Sequence, residues 1–554
     1  MCGSNLKLIF SEMTKALQKC TEWAREYGLK LSEEKTSYVL FTLKNNKQYT
    51  IPPEGIKLNG TSIRKDNCVK YLGVHLDHKL NWTEHIKQKA EQAKRVLFSL
   101  KNICQKTWGP VPEMMKYAYT SRVRPIFGYC AFAYSRTLTK AQLSVLQQMQ
   151  RLSLQMLGNF RQNTAGDTLD ALLGVTPIDL YLKEETLNAG IRLQKHFELS
   201  WEGKSLTKKT GHEEEIMKEL NNLDLLNQYT DSIPEEINLD RKYEVSSDLK
   251  GEDITTGFRL YTDGSKNKNG TGAGICFMER DNILHRDHIG LSNSTNIFQA
   301  ELRAITYACE ELCTHPNLRG IAPEKVHILT DSLSAVQALS GTRINSRMLQ
   351  ATVAALNKLG ERTQIQIKWV KAHNNLRGNE EADKEAKKGA NLTQMEETPI
   401  PKSVAKNIIK DHIQNIWNVR WKNRKKGRTI STFLPELNPI LSGELIKLSR
   451  YDLSLMIQFL SGHNFLLHHE KKMVRPELQH LFTNSKCRLC NLEEETAEHI
   501  ILKCEALIWK RAECLGKYFI NTNVDKLKPQ NVLSLIKKAD IINRDIPEGH
   551  LTRI

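Results

Sequence analysis

No run of apolar residues in this chain approaches the ~20 needed to cross a bilayer as a helix, so no transmembrane helix is expected. The opening stretch, MCGSNLKLIFSEMTK, lacks the apolar segment of a secretory signal. The 12 cysteines form no regular framework and only one tight group, near the C-terminus. Together these absences predict free thiols in a reducing, intracellular compartment, nucleus or cytoplasm, rather than a disulfide scaffold. Negative charge is also scarce: 63 Asp and Glu stand against 80 Lys and Arg, a net charge of +17. That deficit favours polyanionic partners, chiefly nucleic acid, although a basic soluble protein without such a partner fits the same number.

What is present is a globular composition, 40% hydrophobic and 26% charged, over 554 residues. That length exceeds one ordinary core, and about three or four units are expected. Residues 1–209 read as mainly helical after a short α/β opening. Ile86, Ala90, Ala93, Leu97 and Leu100 recur at helical spacing, and Leu143, Leu146, Met149 and Met156 mark another helix. Residues 210–256 turn acidic and lose periodicity (HEEEIMKEL, SIPEEINLD), which reads as a linker with room for one short helix. Residues 257–391 alternate strand and helix patterns. Residues 392–480 are helical and basic, 481–510 hold the cysteine group, and 511–554 form a tail. No internal repeat is visible.

The chemistry concentrates in 257–391. FRLYTDGS reads as a strand with Phe258 and Leu260 alternating with polar residues, ended by a turn at Asp263-Gly264-Ser265. Gly272 to Phe277 predicts a second strand returning beside it. FQAELRAITYACEEL has helical period, and places Glu301 beside an apolar stripe in the first turn. KVHILTDSLSAVQAL joins a buried strand to a helix, with Asp331 at the strand's carboxyl end. IQIKWVKAHNNLRGNEEAD gives a strand, a loop holding His373, and a helix capped by Asn379 with Asp383 in its first turns. Ligand sites in open α/β sheets gather at the carboxyl ends of strands, so these four carboxylates can converge. Carboxylate oxygens suit Mg²⁺ or Mn²⁺. Four like charges need cations between them, and two ions about 3.5–4 Å apart would serve an in-line phosphodiester displacement.

TDGS, QAEL, TDS and H-x4-GNEEAD, in that order and on those elements, resemble the four motifs of the ribonuclease H family. The resemblance implies an α/β fold with a mixed sheet and flanking helices. It also implies cleavage of the RNA strand of RNA–DNA hybrids, with Asp263, Glu301, Asp331 and Asp383 as metal ligands and His373 in proton transfer or product release. Asn374-Asn375 stands where the family often has Ser-Gly, and Asn tolerates the same turn conformation. The alternatives are a catalytically silent nucleic-acid-binding protein, or a DNA transposase or integrase of related fold. The intact acidic residues disfavour the first, and the TDGS and GNEEAD phrases disfavour the second.

In the N-terminal region, TEWAREYGLKLSEEKTSYVLF and VKYLGVHLDHKLNWTEHI resemble the end of the palm and start of the thumb of non-LTR reverse transcriptases. There Lys35 matches a late palm motif and Tyr71 the primer-gripping hairpin. The chain has no Asp-Asp dipeptide, the pair that such a polymerase uses, so polymerase activity is not expected; Lys35 and Tyr71 are assigned packing roles, with residual primer–template contact as the alternative. The resemblance as a whole implies the 3′ part of a retrotransposon polyprotein.

Trp417 and Trp421 stand four apart among Arg420, Lys422, Arg424, Lys425, Lys426 and Arg428. The indoles share a helix face that packs into a core or stacks on bases, and the cations are candidates for phosphate contact or nuclear targeting. Cys487, Cys490, His499 and Cys504 follow the pattern C-x2-C-x8-H-x4-C, a ligand set suited to structural Zn²⁺. The group resembles the CCHC element near the end of many non-LTR polyproteins.

Overall fold

The computed structural model describes residues 3, 5–42, 49–103, 109–158, 160–201, 212–225, 230–246, 257–315, 323–371, 376–424, 429–473, 485–520 and 527–541. They form two compact units. One is Leu187–Asp411; the other joins Met1–Thr186 to His412–Ile554.

Leu187–Asp411 is built on a six-stranded mixed sheet. In chain order its elements are β1 (Glu244–Ser246), β2 (Phe258–Lys266), β3 (Thr271–Glu279), β4 (Asn282–Leu291), α1 (Ile297–Thr314), β5 (Lys325–Thr330), α2 (Leu333–Ser340), α3 (Arg347–Gly360), β6 (Gln364–Trp369) and α4 (Arg377–Gly389). The strand order is β4-β3-β2-β5-β6-β1. β2, β3 and β4 form an antiparallel meander, while β5 lies parallel to β2, β6 to β5 and β1 to β6. Helices cover both faces. Leu260, Phe277, Ile328 and Ile367 pack on one side with Leu302 and Ile305 of α1 and Leu356 of α3. Tyr261, Cys276, Met278 and Leu329 pack on the other with Ala382 of α4. Double coverage explains why β2 is buried on both faces, Arg259 included, where the alternating pattern suggested one wet face.

Two expectations are corrected here. β2 does not end at Asp263-Gly264-Ser265. It runs on to Lys266, and the reversal comes at Asn267, whose N–H donates to the Gly270 carbonyl. The ladder continues because Asp263 pairs with Gly274 across β3, whose small residues leave the strands unobstructed. Nor are the described residues of 210–256 a linker. They supply the helix His212–Asn222, a strand Ser232–Ile237 paired with Arg343–Ser346, and β1 of the main sheet. Asp231 ties this segment down by accepting the Met348 N–H at 3.0 Å and the Ser346 hydroxyl at 2.9 Å. Its acidic composition hid these elements because each buries only a few apolar side chains, such as Ile216, Leu220 and Tyr243.

In the second unit, the expected helices appear as Thr83–Asn102, burying Ile86, Ala90, Ala93 and Leu97, and Lys140–Gly158, burying Leu146 and Met149. The regions read as an N-terminal stretch and separate C-terminal stretches share this unit; Arg450 donates to the Met156 carbonyl at 3.0 Å and Arg161 pairs with Glu470 at 3.2 Å. Trp417 and Trp421 are core residues, the latter donating to the Leu434 carbonyl at 3.0 Å. The neighbouring cations that are described have partners within the protein. Arg420 pairs with Asp179 at 2.7 Å, Lys422 with Glu436 at 2.7 Å, and Arg424 lies over the Trp421 ring at 3.6 Å while donating to backbone carbonyls. Lys425, Lys426 and Arg428 lie outside the described residues. The packing roles given to Lys35 and Tyr71 also fail: both are exposed, Tyr71 at 64%. Tyr71 sits at the tip of a hairpin whose turn, Leu72-Gly73, has two positive φ angles (45° and 82°), the geometry of a tight two-residue loop, and the turn is held by the Tyr129 hydroxyl donating to the Leu72 carbonyl at 2.6 Å.

Candidate functional site

Asp263 lies mid-strand on β2, on the same face as Tyr261 and its cross-strand partner Gly274, and α1 meets the strand at the next residue, Gly264. That helix starts at Ile297 through a capping box in which the Asn296 side chain accepts from the Gln299 N–H and the Gln299 side chain accepts from the Asn296 N–H. Glu301 therefore falls in the second turn, not the first as the pattern suggested. It reaches Asp263 because the residue after Asp263 is glycine. A Cβ on Gly264 would stand 2.7 Å from the Glu301 backbone nitrogen and 2.9 Å from the Ala300 carbonyl carbon, so only Gly lets helix and strand approach this closely.

Asp331 follows the last residue of β5. Its carbonyl accepts from the Trp369 indole at 3.0 Å and its carboxylate from the Asn379 amide at 3.4 Å. Asn379 is thus not the helix cap; Leu376 holds that position, and the buried Asn379 side chain positions Asp331 instead. Sequence reasoning missed this role, although the residue lies within the GNEEAD phrase. Carboxylate oxygens of Asp263, Glu301 and Asp331 all lie within 4.8 Å of one another. Asp383, on α4, is outside that trio. It pairs with Lys387 one turn on at 2.7 Å, yet its charge still reaches Asp263. His373 falls in 372–375, outside the described residues.

The electrostatics are those of a cation site. Burial, then the charges of Asp331 and Asp383, push the Asp263 carboxyl up to about 8. Burial, then Asp263 and Asp331, push Glu301 up to about 9. Oε2 of Glu301 is buried with no hydrogen-bond partner among the described residues. A buried, unpaired carboxylate oxygen facing two more carboxylates is costly unless a cation or a proton sits there. Hard oxygen donors converging in this way fit Mg²⁺ or Mn²⁺.

A pH dependence follows. With folded pKa values raised, the metal-free native state holds protons that the unfolded chain releases above about pH 4, so these groups cost stability as pH rises toward 8–9. In chelator, Asp263→Asn should gain on the wild type by roughly 2–4 kcal/mol between pH 5 and pH 8.5. Equilibrium denaturation of both proteins measures the difference; a constant difference would show that the carboxylates do not repel one another.

Residues 255–391 match the sequence model of the family RNase H. They are an RNase H domain. The chain's relatives include polyproteins of non-LTR retrotransposons. The retrovirus-related Pol polyprotein from type-1 retrotransposable element R1 of Bradysia coprophila is 28% identical over 180 residues, 32% of this chain and 18% of that protein. The probable RNA-directed DNA polymerase from transposon BS of Drosophila melanogaster is 23% identical over 174 residues, 31% of this chain and 19% of that protein. The chain thus spans less than a fifth of the length of either relative. Among solved structures, RNase H1 from the halophilic archaeon Halobacterium salinarum is 19% identical, covering 24% of this chain and 96% of its own, with a TM-score of 0.20.

Apart from the RNase H domain, the expected Cys/His group is brought together. Sγ of Cys487 and Cys504 lie 3.9 Å apart, and Cys490 Sγ lies 3.2 Å from His499 Nε2. The Cys487–Asn491 turn is closed by the Asn491 N–H on the Cys487 carbonyl at 2.8 Å, which aims both thiols one way. His499 is held through Nδ1 by Glu493 at 3.1 Å, leaving Nε2 to face the sulfurs. The Cys504 thiol and the backbone N–H groups of Cys490 and Leu489 pull the Cys487 thiol below the usual thiol range. A stable thiolate, two further thiols and an oriented imidazole fit tetrahedral Zn²⁺.

Proposed function

We propose that the RNase H domain hydrolyses the RNA strand of RNA–DNA hybrids. Asp263, Glu301 and Asp331, joined by Asp383, would hold two Mg²⁺ or Mn²⁺ ions. The observation that supports this most is the convergence of three carboxylates around the buried, unpartnered Oε2 of Glu301. Bound there, the ions would activate water and neutralise charge developing at the phosphorus. The chain's own residues do the rest. Gly264 admits Glu301 to the site, Trp369 and Asn379 hold Asp331 in place, and Lys387 restrains Asp383. His373 takes proton transfer or product release. Water adds to phosphorus as the bond to the 3′ oxygen breaks, and that oxygen takes up a proton. The RNA is left with a 3′-hydroxyl and a 5′-phosphate. The test is cleavage of a labelled RNA–DNA hybrid, an RNA duplex and a DNA duplex by the full chain in Mg²⁺. Cutting of the hybrid's RNA strand alone is expected, and equal cutting of all three, or of none, overturns the reading.

The Cys487, Cys490, His499 and Cys504 group we assign to a closed, structural Zn²⁺. A closed site contributes its binding energy to the fold around it. Cys490→Ser should abolish thiolate-to-metal absorption in the cobalt-loaded protein and expose Arg511, whose guanidinium is buried against the Cys504 and Ile501 carbonyls. New tryptic cleavage at Arg511 reads this out; an uncut chain with full metal would refute the assignment.

A further inference from the structure

We propose that His285, Glu311 and His315 form a second metal site on the RNase H domain, one that takes a borderline divalent ion such as Zn²⁺ through two imidazoles and a carboxylate. The site depends on two elements that sequence order separates. His285 stands on β4, the outer strand of the sheet. Glu311 lies in the last turn of α1 and His315 is that helix's C-terminal cap. Four residues apart, Glu311 and His315 share one side of the helix end. The His315 N–H donates to the Glu311 carbonyl at 2.9 Å, which fixes the cap.

The distances favour coordination over a hydrogen-bonded pair. One ligand atom from each residue lies within 4.8 Å of the others. His285 Nε2 and Glu311 Oε2 are 3.7 Å apart, too far for a hydrogen bond. Two ligands on a tetrahedral ion at about 2.0–2.1 Å stand roughly 3.3 Å apart, so the His285–Glu311 pair is already within a few tenths of an ångström of that spacing. His285 Nε2 is buried and has no hydrogen-bond partner among the described residues. Such an orphan is costly in an empty pocket and satisfied by a metal.

The surroundings hold the ligands in place. The Phe277 ring meets the His285 ring edge-on at 5.6 Å, and the His285 and His315 rings lie 4.4 Å apart. One turn before Glu311, the Tyr307 hydroxyl donates to Asp287 of β4 at 2.6 Å, pinning helix to strand beside the site. Side-chain exposures of 18% for His285 and 19% for Glu311 leave a way in for an ion. The site is separate from the carboxylate cluster. Glu301 and Glu311 are ten residues apart on one helix, about 15 Å at 1.5 Å per residue. Ligand type separates them too, since imidazole suits Zn²⁺ whereas an all-carboxylate set suits Mg²⁺. Three protein ligands leave the fourth position to water.

The test is a Co²⁺ titration of the full chain, stripped of metal, reduced, and kept in millimolar Mg²⁺ so that the carboxylate cluster is occupied. Cobalt at the cysteines shows thiolate-to-metal absorption. Cobalt at His285, Glu311 and His315 shows only the weaker visible bands of nitrogen and oxygen ligation, and Zn²⁺ should bleach them. Glu311→Gln and His315→Ala are each expected to weaken this second class at least tenfold while the thiolate signal stays unchanged. Circular dichroism identifies a variant that fails to fold, and the folded one of the pair then decides. A titration with only thiolate-type binding, or visible bands unchanged in a folded variant, overturns the proposal.

Discussion

Asp331→Asn should lower hybrid cleavage by about 10³-fold or more while leaving the fold unchanged, a loss on the scale seen when one charge-stabilising group is taken from an active site. The substitution keeps the size of the side chain. It also keeps an oxygen that can accept the Asn379 amide, now held at 3.4 Å, and leaves the Trp369 contact with the Asp331 carbonyl untouched. What disappears is one anion. Asp331 contributes to the raised pKa of both Asp263 and Glu301, so its removal relieves repulsion in the metal-free protein. Stability without metal should therefore rise as activity falls. That opposition separates a functional defect from a folding defect. Single-turnover cleavage at saturating hybrid, with denaturation in chelator alongside, measures both. Near-normal turnover would remove Asp331 from the proposed site.

Gly274→Ala should destabilise the RNase H domain by about 3 kcal/mol or more, an effect at the upper end of what a single methyl group causes. Gly274 faces α4, and a Cβ there would fall on the backbone nitrogen of Ala386 and the carbonyl oxygen of Ala382. Backbone atoms of a packed helix have no rotamer by which to move aside, so α4 must lift from the sheet. Asn379 and Asp383 ride on that helix, and the Asn379 contact with Asp331 would lengthen as it moves. Cleavage should fall with stability even though Gly274 touches no substrate. Gly257→Ala makes a useful contrast. Gly257 has open space where the methyl would go but a φ of +91°, so its cost is conformational and local. Comparing denaturation midpoints of the two variants tests the close-packing argument, and equal midpoints would defeat it.

Of the converging carboxylates, Glu301 and Asp331 could be placed from the sequence because each sits next to a strong local signal. Asp331 follows a buried run, Val326 to Leu329, and Glu301 lies within a helix whose Asn296–Gln299 cap is itself a sequence pattern. Places where the reading failed share a cause. Asp263-Gly264-Ser265 has the composition of a turn, yet the ladder to β3 and the pressure of α1 and α4 on the two faces keep it extended. Asn379 has the composition of a cap, but Leu376 takes that place and Asn379 is drawn to Asp331. In each case a contact distant in sequence overrides a local preference worth only about 1 kcal/mol.

By itself, the sequence determined the alternation of strands and helices over 257–391, the residue types of the carboxylate cluster, and the Cys/His pattern. These are local properties, carried by hydrophobic period and by spacings of a few residues. The tertiary structure alone decided which atoms meet. It brought Asp263, Glu301 and Asp331 together and left Asp383 outside that trio, made the described parts of the acidic stretch 210–256 elements of the Leu187–Asp411 unit, and set His285 against Glu311 and His315. The physical reason is that strand order and helix packing bring together residues whose separation along the chain carries no periodic signal. Their charge and burial, and hence their chemistry, exist only once the sheet has formed.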